Sequence, residues 1–486
     1  MSDKLNDLEP KILWGIFDEM TQIPRPSKFE DKIQEWAVNF GNKLELETFK
    51  DDVGNVIIRK PATKGMEDKK AVVLQGHLDM VPQKNSSTQH DFKKDPIKTF
   101  IEGDWVKAKG TTLGSDNGIG AAAALAVISS DGLEHPDVEV LLTSDEETGM
   151  TGANGLKPGI LKGDILINMD SEDEGELYIG CAGGVNTNTT FEYENVEVPA
   201  NMAPYKISVT GLKGGHSGLD IHLGRGNANK IINHLMMEAA EKFGMRLAEI
   251  DGGSLRNAIP REAFATIVVP EGKKDDFKEF IEVFEREVKP SYKDADPGLM
   301  ITVGTTKMPY HLIDEKTQEN LFKAVEECPN GVIKMDDNMP DVVETSTNLA
   351  VVKSGDNKIE IATLQRSAVD DDKDKLAKDI FDVFKKYGSN PVHSGDYPGW
   401  KPNPDSAILH EMKGIYDKLF GKIPEVKVIH AGLECGILGA KYPNWDMISF
   451  GPTIRNPHSP DEMVSISTVQ KFWDYLVDTL KHIPKK

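Results

Sequence analysis

Cysteine and long apolar runs are scarce in this sequence, and their scarcity excludes several classes of protein. The 486 residues include three cysteines, Cys181, Cys328 and Cys435, which lie far apart. This spacing argues against a zinc ribbon, a redox motif or a disulfide framework. No segment has the apolar core of a signal peptide, and no apolar run is long enough to span a bilayer. We therefore expect a cytoplasmic protein that does not contact membranes.

Positive charge is also in short supply. Lysine and arginine together number 57 against 79 aspartate and glutamate residues, so the formal net charge is −22. A surface of this sign repels nucleic-acid backbones and anionic lipids, which argues against either as a partner. It does tolerate bound cations. The content of 38% hydrophobic and 28% charged residues is typical of a folded globular protein.

The chain is too long for one typical hydrophobic core, which favours two domains. Residues 1–186 alternate predicted strands with predicted helices, the pattern of an α/β fold with a mostly parallel sheet flanked by helices. Residues 187–396 have more half-buried strands and longer charged helices, which indicates an inserted α+β domain. Residues 397–486 return to the α/β pattern and are predicted to complete the first domain. Ligands of such sheets gather at the carboxyl ends of the strands.

Hydrophobic periodicity places the individual elements. A helix is predicted over residues 9–21, and a capping box of Ser27 and Glu30 predicts a second helix whose buried stripe begins at Phe29. Further helices are predicted after the glycine-rich turn 114–120, at 228–243 and 275–288, and around Leu409 and Phe472. Strands are predicted at 56–58, 71–74, 138–143, 165–167, 205–210, 263–269, 426–429 and 447–450.

The predicted strand 71–74 runs into His77 and Asp79. Residues two apart in an extended chain point to the same side, so His77 can offer a ring nitrogen to a metal while Asp79 orients it. Taken alone, such a pair is more often an ordinary hydrogen-bonded contact.

Other segments that end or join strands carry the same kind of side chain. Asp116 lies in a glycine-flanked turn, Glu146 and Glu147 follow the strand 138–143, Asp170 follows 165–167, and His458 lies in a proline-rich loop. Together these nitrogen and oxygen ligands suit a pair of zinc ions bridged by a carboxylate. Adjacent side chains in extended chain point to opposite sides, so one of the paired glutamates can bind metal while the other acts as general base. The residues by themselves leave open which does which.

Five ordered segments resemble those of the co-catalytic zinc metallopeptidases, in particular the aminopeptidase-like dipeptidases. They are residues 76–82, 114–120, 145–149, 168–172 and 457–462, and the likeness extends over the whole chain, including 212–218 and 429–436. The resemblance implies a zinc-peptidase-like domain with an inserted lid and dimerisation domain. It also implies two Zn²⁺ per subunit, with Co²⁺ or Mn²⁺ as substitutes.

The resemblance implies a role for each residue of the metal centre. His77 and Asp170 would bind one zinc, Glu147 and His458 the other, Asp116 would bridge them, Glu146 would be the general base and Asp79 the orienting acid. The peptide bond between Asp116 and Asn117 would be cis. Asp145, which adjoins the base, is expected to be a solvated neighbour, although it would be close enough to shift the pKa of the base.

In the inserted domain the resemblance implies His216 as an oxyanion-stabilising residue, often acting in a partner subunit's site. Asn257 and Arg366 would bind the substrate, and Gly432 would contribute backbone contact. Arg366 suits a terminal carboxylate because its planar fork pairs with both oxygens. Without the resemblance, His216 reads as a turn residue and Arg366 as the partner of a nearby acid.

The function expected on these grounds is hydrolysis of unblocked dipeptides, notably Xaa-His and with β-Ala-His among the candidates, by a homodimer. One alternative is an aminoacylase that uses the same metals on N-acyl amino acids. Another is a metal-binding protein without turnover, which the presence of Glu146 argues against because a pure binding site needs no base.

Overall fold

The computed structural model describes residues 4–486, which divide into two compact units. The first unit comprises Met1–Gly180, Trp400–Val428 and Leu433–Lys486, and the second comprises Cys181–Gly399 and Ile429–Gly432. The middle of the chain therefore builds a separate unit. The short segment Ile429–Gly432 belongs to that unit although the chain on either side of it belongs to the first.

An eight-stranded sheet forms the centre of the first unit. Its order is Glu47–Lys50, Val56–Lys60, Val138–Thr143, Val72–His77, Ile165–Asn168, Asp446–Ser449, Glu176–Cys181 and Glu425–Ile429. The middle strands, from Val138–Thr143 to Asp446–Ser449, are parallel to one another. Antiparallel pairing with Val56–Lys60 and with Glu176–Cys181 extends the sheet on either side. The parallel character predicted from the sequence thus belongs to the buried centre.

Helices and a small second sheet complete the first unit. The helices are Lys11–Thr21, Asp31–Lys43, Ser115–Ser129, Glu146–Gly149, Thr151–Gly155, Ala407–Phe420, Glu434–Lys441 and Ile466–Lys481, with a 3₁₀ turn at Leu5–Asp7. The small sheet has the order Ile454–Arg455, Met463–Ser465, Trp105–Ala108 and Thr99–Glu102. The predicted strand 138–143 coincides with Val138–Thr143, and the predicted helix 9–21 is confirmed as Lys11–Thr21.

The helix Ser115–Ser129 packs closely on the central strand Val72–His77. Its residues Ala121 to Ala124 have no exposed surface, as expected of a helix buried all round. Gly76 permits the approach, because a Cβ atom there would lie 2.3 Å from Asn117 Oδ1 and 3.1 Å from the backbone nitrogen of Ala121. The peptide bond between Asp116 and Asn117 is cis.

The predicted capping box before the second helix is wrong. The Ser27 hydroxyl donates to the Met80 carbonyl at 3.4 Å and caps no helix. The Glu30 carboxylate accepts from the backbone N–H groups of Lys28 and Asp145. Phe29 is 51% exposed and lies beneath the Lys93 ammonium instead of in a buried stripe. The local spacing was right for a cap, but tertiary partners from distant segments take both polar side chains.

The second unit is a nine-stranded antiparallel sheet with helices. The sheet order is Met300–Thr305, Met202–Thr210, Ala263–Pro270, Arg246–Gly252, Val343–Gly355, Lys358–Ser367, Gly183–Glu192 and Val392–Tyr397, with Gly331–Met335 also paired to Val343–Gly355. Two-stranded sheets join Asn195–Val196 to Leu312–Ile313 and Gly215–His216 to Ala258–Ile259. The helices are Ala228–Phe243, Lys274–Val288, Glu315–Glu327 and Asp370–Lys386, and the 3₁₀ turns are Ile221–Leu223, Glu271–Lys273 and Lys289–Tyr292.

The core of the second unit lies between this sheet and its helices. Ile232 and Leu235 of the helix Ala228–Phe243, Phe277 of the next helix and Ile207 and Ile267 of the sheet are fully buried in one cluster. The aspartate run that begins at Asp370 forms the first turn of a helix, where the helix dipole stabilises negative charge. Within residues 4–486 no helix is both long and apolar enough to cross a membrane.

Candidate active site

The metal-type residues predicted from the sequence meet at the carboxyl ends of the four parallel strands. His77 is the last residue of its strand, Glu146 and Glu147 begin a short helix just after Val138–Thr143, and Asp170 follows Ile165–Asn168. His458 lies between Ile454–Arg455 and Met463–Ser465, two strands of the small sheet that come after the fourth parallel strand in the chain. Because parallel strands end at the same edge of a sheet, residues far apart in sequence converge there.

Asp116 stands between the two histidines and offers a different oxygen to each. Its Oδ1 lies 3.2 Å from His77 Nε2, which is also 3.5 Å from Asp170 Oδ1. Its Oδ2 lies 3.1 Å from His458 Nε2, which is also 2.9 Å from Glu147 Oε2. Two groups of three ligand atoms therefore share one carboxylate, and within each group the atoms lie within 4.8 Å of one another.

This arrangement fits a pair of metal ions. Bonds of about 2.0–2.1 Å in tetrahedral geometry place neighbouring ligand atoms about 3.3 Å apart, close to the separations above. Glu147 Oε1 is buried and has no hydrogen-bond partner among the described residues, so this carboxylate keeps an oxygen for a cation. Imidazole nitrogens combined with carboxylate oxygens suit zinc and related divalent ions.

The pKa values of the cluster indicate that its carboxylates lack balancing positive charge. Burial raises the pKa of Asp170 to about 6, against the opposing influence of His77. Hydrogen bonds to Asp116 and Glu147 raise the pKa of His458 to about 11. Burial alone would lower the pKa of His77, but Asp170, Asp116 and Asp79 raise it well above its ordinary value. Protons are thus held where a divalent cation would otherwise balance the carboxylates.

Asp79 connects the His77 strand to the segment that carries the paired glutamates. Its Oδ1 lies 3.3 Å from His77 Nδ1 and accepts the backbone N–H of Glu146 at 3.0 Å, while Oδ2 accepts that of Glu147 at 3.3 Å. Burial raises the pKa of Asp79, but the contacts with His77, Ser27 and Glu146 outweigh it, and the pKa lies below its ordinary value. Asp79 therefore orients one histidine and two glutamates at once.

Glu146 lies beside this cluster, with a carboxylate oxygen within 4.8 Å of ligand atoms of His77 and Glu147. Burial raises its pKa well above the ordinary value, the nearby His77 lowers it, and the carboxylates of Asp170 and Glu434 raise it further. A carboxylate with a raised pKa is a stronger general base at neutral pH than an exposed one. The neighbouring Asp145 is not simply solvated: its carboxylate accepts the hydroxyls of Thr148, at 2.5 Å, and Thr151.

Two buried residues that the sequence reasoning passed over secure the turn that carries Asp116. Glu462 Oε2 accepts the backbone N–H groups of Leu113 and Gly114, and Oε1 accepts the N–H and hydroxyl of Ser115 at 2.7 and 2.6 Å. Arg25 donates to the carbonyls of Gly114, Leu78 and Asp79. Glu462 lies in the segment 457–462 and Arg25 in a Pro-Arg-Pro turn, but neither pattern reveals a partner so distant in sequence.

Glu434 is a third such residue. Its Oε2 accepts from Gln75 Nε2 and Thr143 Oγ1, both at 2.7 Å, and its Oε1 is buried without a partner among the described residues. Burial raises its pKa to about 7, with His77 opposing the shift. Gln75 and Thr143 lie on neighbouring strands, so Glu434 links the ends of the strands that lead to His77 and to Glu146.

The remaining predicted site residues lie in the second unit. Arg366 is 5% exposed, its Nη1 donates to the Tyr397 hydroxyl at 3.0 Å, and its Nε has no hydrogen-bond partner among the described residues. Among residues 4–486 no carboxylate forms an ion pair with it, so the expectation of a neighbouring acid is wrong. A buried cation without a counter-ion is costly unless a ligand supplies one.

His216, Asn257 and Gly432 belong to the same unit as this cation. His216 Nδ1 accepts the backbone N–H groups of Gly218 and Leu219 at 3.2 and 3.1 Å, which leaves the proton of a neutral ring on Nε2. Burial and the charge of Arg366 lower its pKa. Asn257 is exposed, and its carbonyl accepts the backbone N–H of Ser217 at 2.7 Å.

Comparison with known proteins finds relatives over nearly the whole chain. Residues 73–482 match the model of peptidase family M20/M25/M40. The chain is 46% identical over 483 residues to the cytosol non-specific dipeptidase of Escherichia coli K12, covering 99% of this chain and 100% of that one. It is also 46% identical to the aminoacylhistidine dipeptidase of Vibrio alginolyticus, whose crystal structure it matches with a TM-score of 0.95 over 99% of each chain.

A more distant structure shares the fold alone. The aminopeptidase PepT of Bacillus cereus is 15% identical and matches with a TM-score of 0.56, over 98% of this chain and 99% of that one. The family match covers most of the sequence, and the relative from Escherichia coli aligns over nearly its full length. The chain belongs to peptidase family M20/M25/M40.

Proposed function

We propose that this protein is a dinuclear metal dipeptidase of the cytoplasm that hydrolyses unblocked dipeptides, notably Xaa-His, with β-Ala-His among its candidate substrates. The observation that carries the proposal is Asp116, whose two oxygens face different histidines at 3.2 and 3.1 Å. The names of the relatives in Escherichia coli and Vibrio alginolyticus support the substrate class.

Two zinc ions are the metals we propose, with Co²⁺ or Mn²⁺ as substitutes. His77 and Asp170 would hold one, Glu147 and His458 the other, and Asp116 both. When bound, such a pair polarises the scissile carbonyl and lowers the pKa of water to about 7.

The side chains of the chain itself then handle the proton and the charge. Glu146 takes the proton of the attacking water and returns it to the leaving amine. Asp79 keeps Glu146 and His77 in place through the contacts to both. His216, whose Nδ1 is occupied by two backbone N–H groups, donates from Nε2 to the oxyanion.

Substrate binding is assigned to the second unit. Arg366 has no counter-ion within residues 4–486 and would pair with the terminal carboxylate of the dipeptide, with Asn257 and the backbone at Gly432 completing the contact. This unit would act as the lid. We also propose that it forms the interface of a homodimer: the strand Gly331–Met335 pairs with only one other strand among residues 4–486 and leaves Ile333 46% exposed.

The test is hydrolysis of Ala-His, β-Ala-His, N-acetyl-His and Ala-Ala-His by one preparation, before and after chelation and after zinc is restored. Metal-dependent cleavage confined to the two free dipeptides is the expected result. Cleavage of N-acetyl-His alone would assign the protein to the aminoacylases, and no cleavage of any compound, with the metals bound, would favour a metal-binding protein without turnover.

A further inference from the structure

The guanidinium of Arg366, buried in the second unit, has a neighbouring residue to which no role has been assigned so far. Ser346 and Arg366 are directly opposite one another on the paired antiparallel strands Val343–Gly355 and Lys358–Ser367. Residues opposite each other in such a pair project from the same face of the sheet. Ser346 Oγ lies 2.7 Å from Nε2 of His430, which places the imidazole on the face that carries the guanidinium.

His430 is uncharged in this setting. Its side chain is buried, and burial together with the charge of Arg366 lowers its pKa to about 3, with the Val343 carbonyl opposing the shift. A neutral imidazole carries one proton, and the hydroxyl of Ser346 can donate to Nε2 and leave that proton on Nδ1.

The Val343 carbonyl lies near the His430 ring, but Nδ1 is buried and forms no hydrogen bond of ordinary geometry to that carbonyl or to any other group of residues 4–486. A buried donor without an acceptor carries the cost of its lost hydration, which a ligand acceptor would recover. Arg366 Nε, on the same face, is likewise buried and forms no hydrogen bond to any described residue. One of these donors is neutral and the other belongs to a guanidinium with no counter-ion among residues 4–486, a pair that suits an anion with two oxygens.

The backbone around His430 brings this site next to the other residues assigned to substrate. A Cβ atom on Gly218 would lie 2.1 Å from the His430 carbonyl and 3.0 Å from Cε1 of His216, so the turn holding His216 packs directly on the segment of His430. The same segment, Ile429–Gly432, carries Gly432. Asn348, two residues beyond Ser346, donates to the carbonyls of Arg256 and Ala258 and thereby holds the turn of Asn257.

We propose that His430 is a substrate-binding residue, whose Nδ1–H donates to the terminal carboxylate that Arg366 pairs with, and that Ser346 positions it by fixing its tautomer. The inference rests on the proposed dipeptidase function and adds two residues to it. Chemically, it makes recognition of the free carboxylate depend on a neutral donor as well as on a charge.

The experiment compares wild type with His430→Gln, Ser346→Ala and Ser346→Thr on Ala-His and on Ala-histidinamide, which lacks the carboxylate. For His430→Gln and Ser346→Ala we expect KM for Ala-His to rise about ten- to a hundred-fold, the usual worth of a hydrogen bond to a charged group, with kcat changed less than about three-fold. The efficiency on Ala-histidinamide should stay within about three-fold of wild type. Ser346→Thr, which keeps the hydroxyl, should restore most of the KM.

Controls separate recognition from damage to the fold. His234→Gln replaces a histidine in the same unit that is 53% exposed and should leave both substrates unaffected. Metal content and thermal unfolding are measured on every variant, and the proposal requires both to match wild type for Ser346→Ala.

The outcomes are distinguishable. An equal loss on Ala-His and on the amide, or an unchanged KM for Ala-His, would overturn the role of His430 and leave its ring as a packing partner of Val343. Wild type that fails to cleave Ala-His with metals bound would overturn the proposed function itself.

Discussion

Glu462 Oε1 accepts hydrogen bonds from both the backbone N–H and the hydroxyl of Ser115, at 2.7 and 2.6 Å. The same carboxylate binds the N–H groups of Leu113 and Gly114 through its other oxygen. A side chain from the segment of His458 thereby supports the turn that ends in Asp116. Two candidate metal ligands, far apart in sequence, share one buried brace.

Replacing Glu462 by Gln should weaken metal binding. The amide would turn an N–H₂ group towards backbone N–H donors and remove the charge that holds them, so we expect metal affinity to fall about 10–100-fold. Competition with a chromophoric chelator measures it, with Glu425→Gln, a surface glutamate paired to Lys427, as control. Wild-type affinity in Glu462→Gln would show that the turn is rigid without the brace.

Replacing each of the two adjacent glutamates by glutamine should have a different effect on metal content and on kcat. Glu146→Gln should keep two metal ions per chain and lose about 10²–10⁴-fold in kcat, because only proton transfer is removed. Glu147→Gln should lose one metal ion, because Glu147 Oε2 faces His458 Nε2 at 2.9 Å. Elemental analysis and kinetics on the same samples decide, and the reverse pattern would exchange the two roles.

Acidification should destabilise the protein through His430. With a folded pKa of about 3 against an ordinary 6.5, the unfolded chain binds more protons between these values, so this stabilising contribution is complete above about pH 6.5 and lost as pH falls. The charged or titratable groups around the ring are Arg366, His216 and His222. From pH 7 to pH 4.5, wild type should lose at most about 2–3 kcal/mol more unfolding free energy than His430→Gln. Urea unfolding of the metal-free proteins at both pH values measures this difference. Equal losses of unfolding free energy in wild type and His430→Gln would contradict it.

The proposed dimer should depend on the strand Gly331–Met335. Ile333→Lys puts a charge on its exposed apolar face, so we expect monomers and lower specific activity. Wild type should likewise lose activity on dilution below the dimer dissociation constant. Ile423→Lys, at a site 68% exposed in the first unit, is the matched control. Sedimentation velocity and activity are compared at equal concentrations; a fully active wild-type monomer would rule the dimer out as a requirement.

Replacing each of two glycines of the first unit by alanine should change the stability of the protein in opposite directions. A Cβ atom on Gly76 would lie 2.3 Å from Asn117 Oδ1, and we expect Gly76→Ala to cost about 1–3 kcal/mol. Gly414 lies within the helix Ala407–Phe420 with no atom within 4 Å of such a Cβ, so Gly414→Ala should stabilise by about 0.5–1 kcal/mol. Thermal unfolding measures both, and equal signs would contradict the close approach at Gly76.

Much of the fold was predictable because its signals are local. Alternating and helical periodicity predicted the strand Val138–Thr143 and the helix Ala228–Phe243 at their observed bounds. The prediction failed at Ser27 and Glu30, whose spacing is that of a cap but whose bonds go to Met80 and to Asp145. Sequence spacing reports only which residues are close along the chain, and it does not reveal the distant segments that folding brings into contact.

The candidate site divides in the same way. The sequence alone determined which residue types carry the chemistry, since His77, Asp116, Glu147, Asp170 and His458 stand in motifs with a mixture of nitrogen and oxygen ligands that few other functions need. On the residues alone the roles of Glu146 and Glu147 stayed open, because adjacency does not say which side chain faces the metals. The extended backbone assumed for that argument is wrong, since both residues lie in the first turn of the helix Glu146–Gly149.

Only the tertiary structure decided how these residues are held. The parallel strands bring four chain segments to one edge of the sheet, and the buried Glu462 and Arg25 support the turn of Asp116. The register of Ser346 with Arg366 places His430 on the face of the sheet that carries the guanidinium. Burial and hydrogen-bond partners depend on contacts between distant segments, and it is these contacts that give a carboxylate or an imidazole its pKa and its direction.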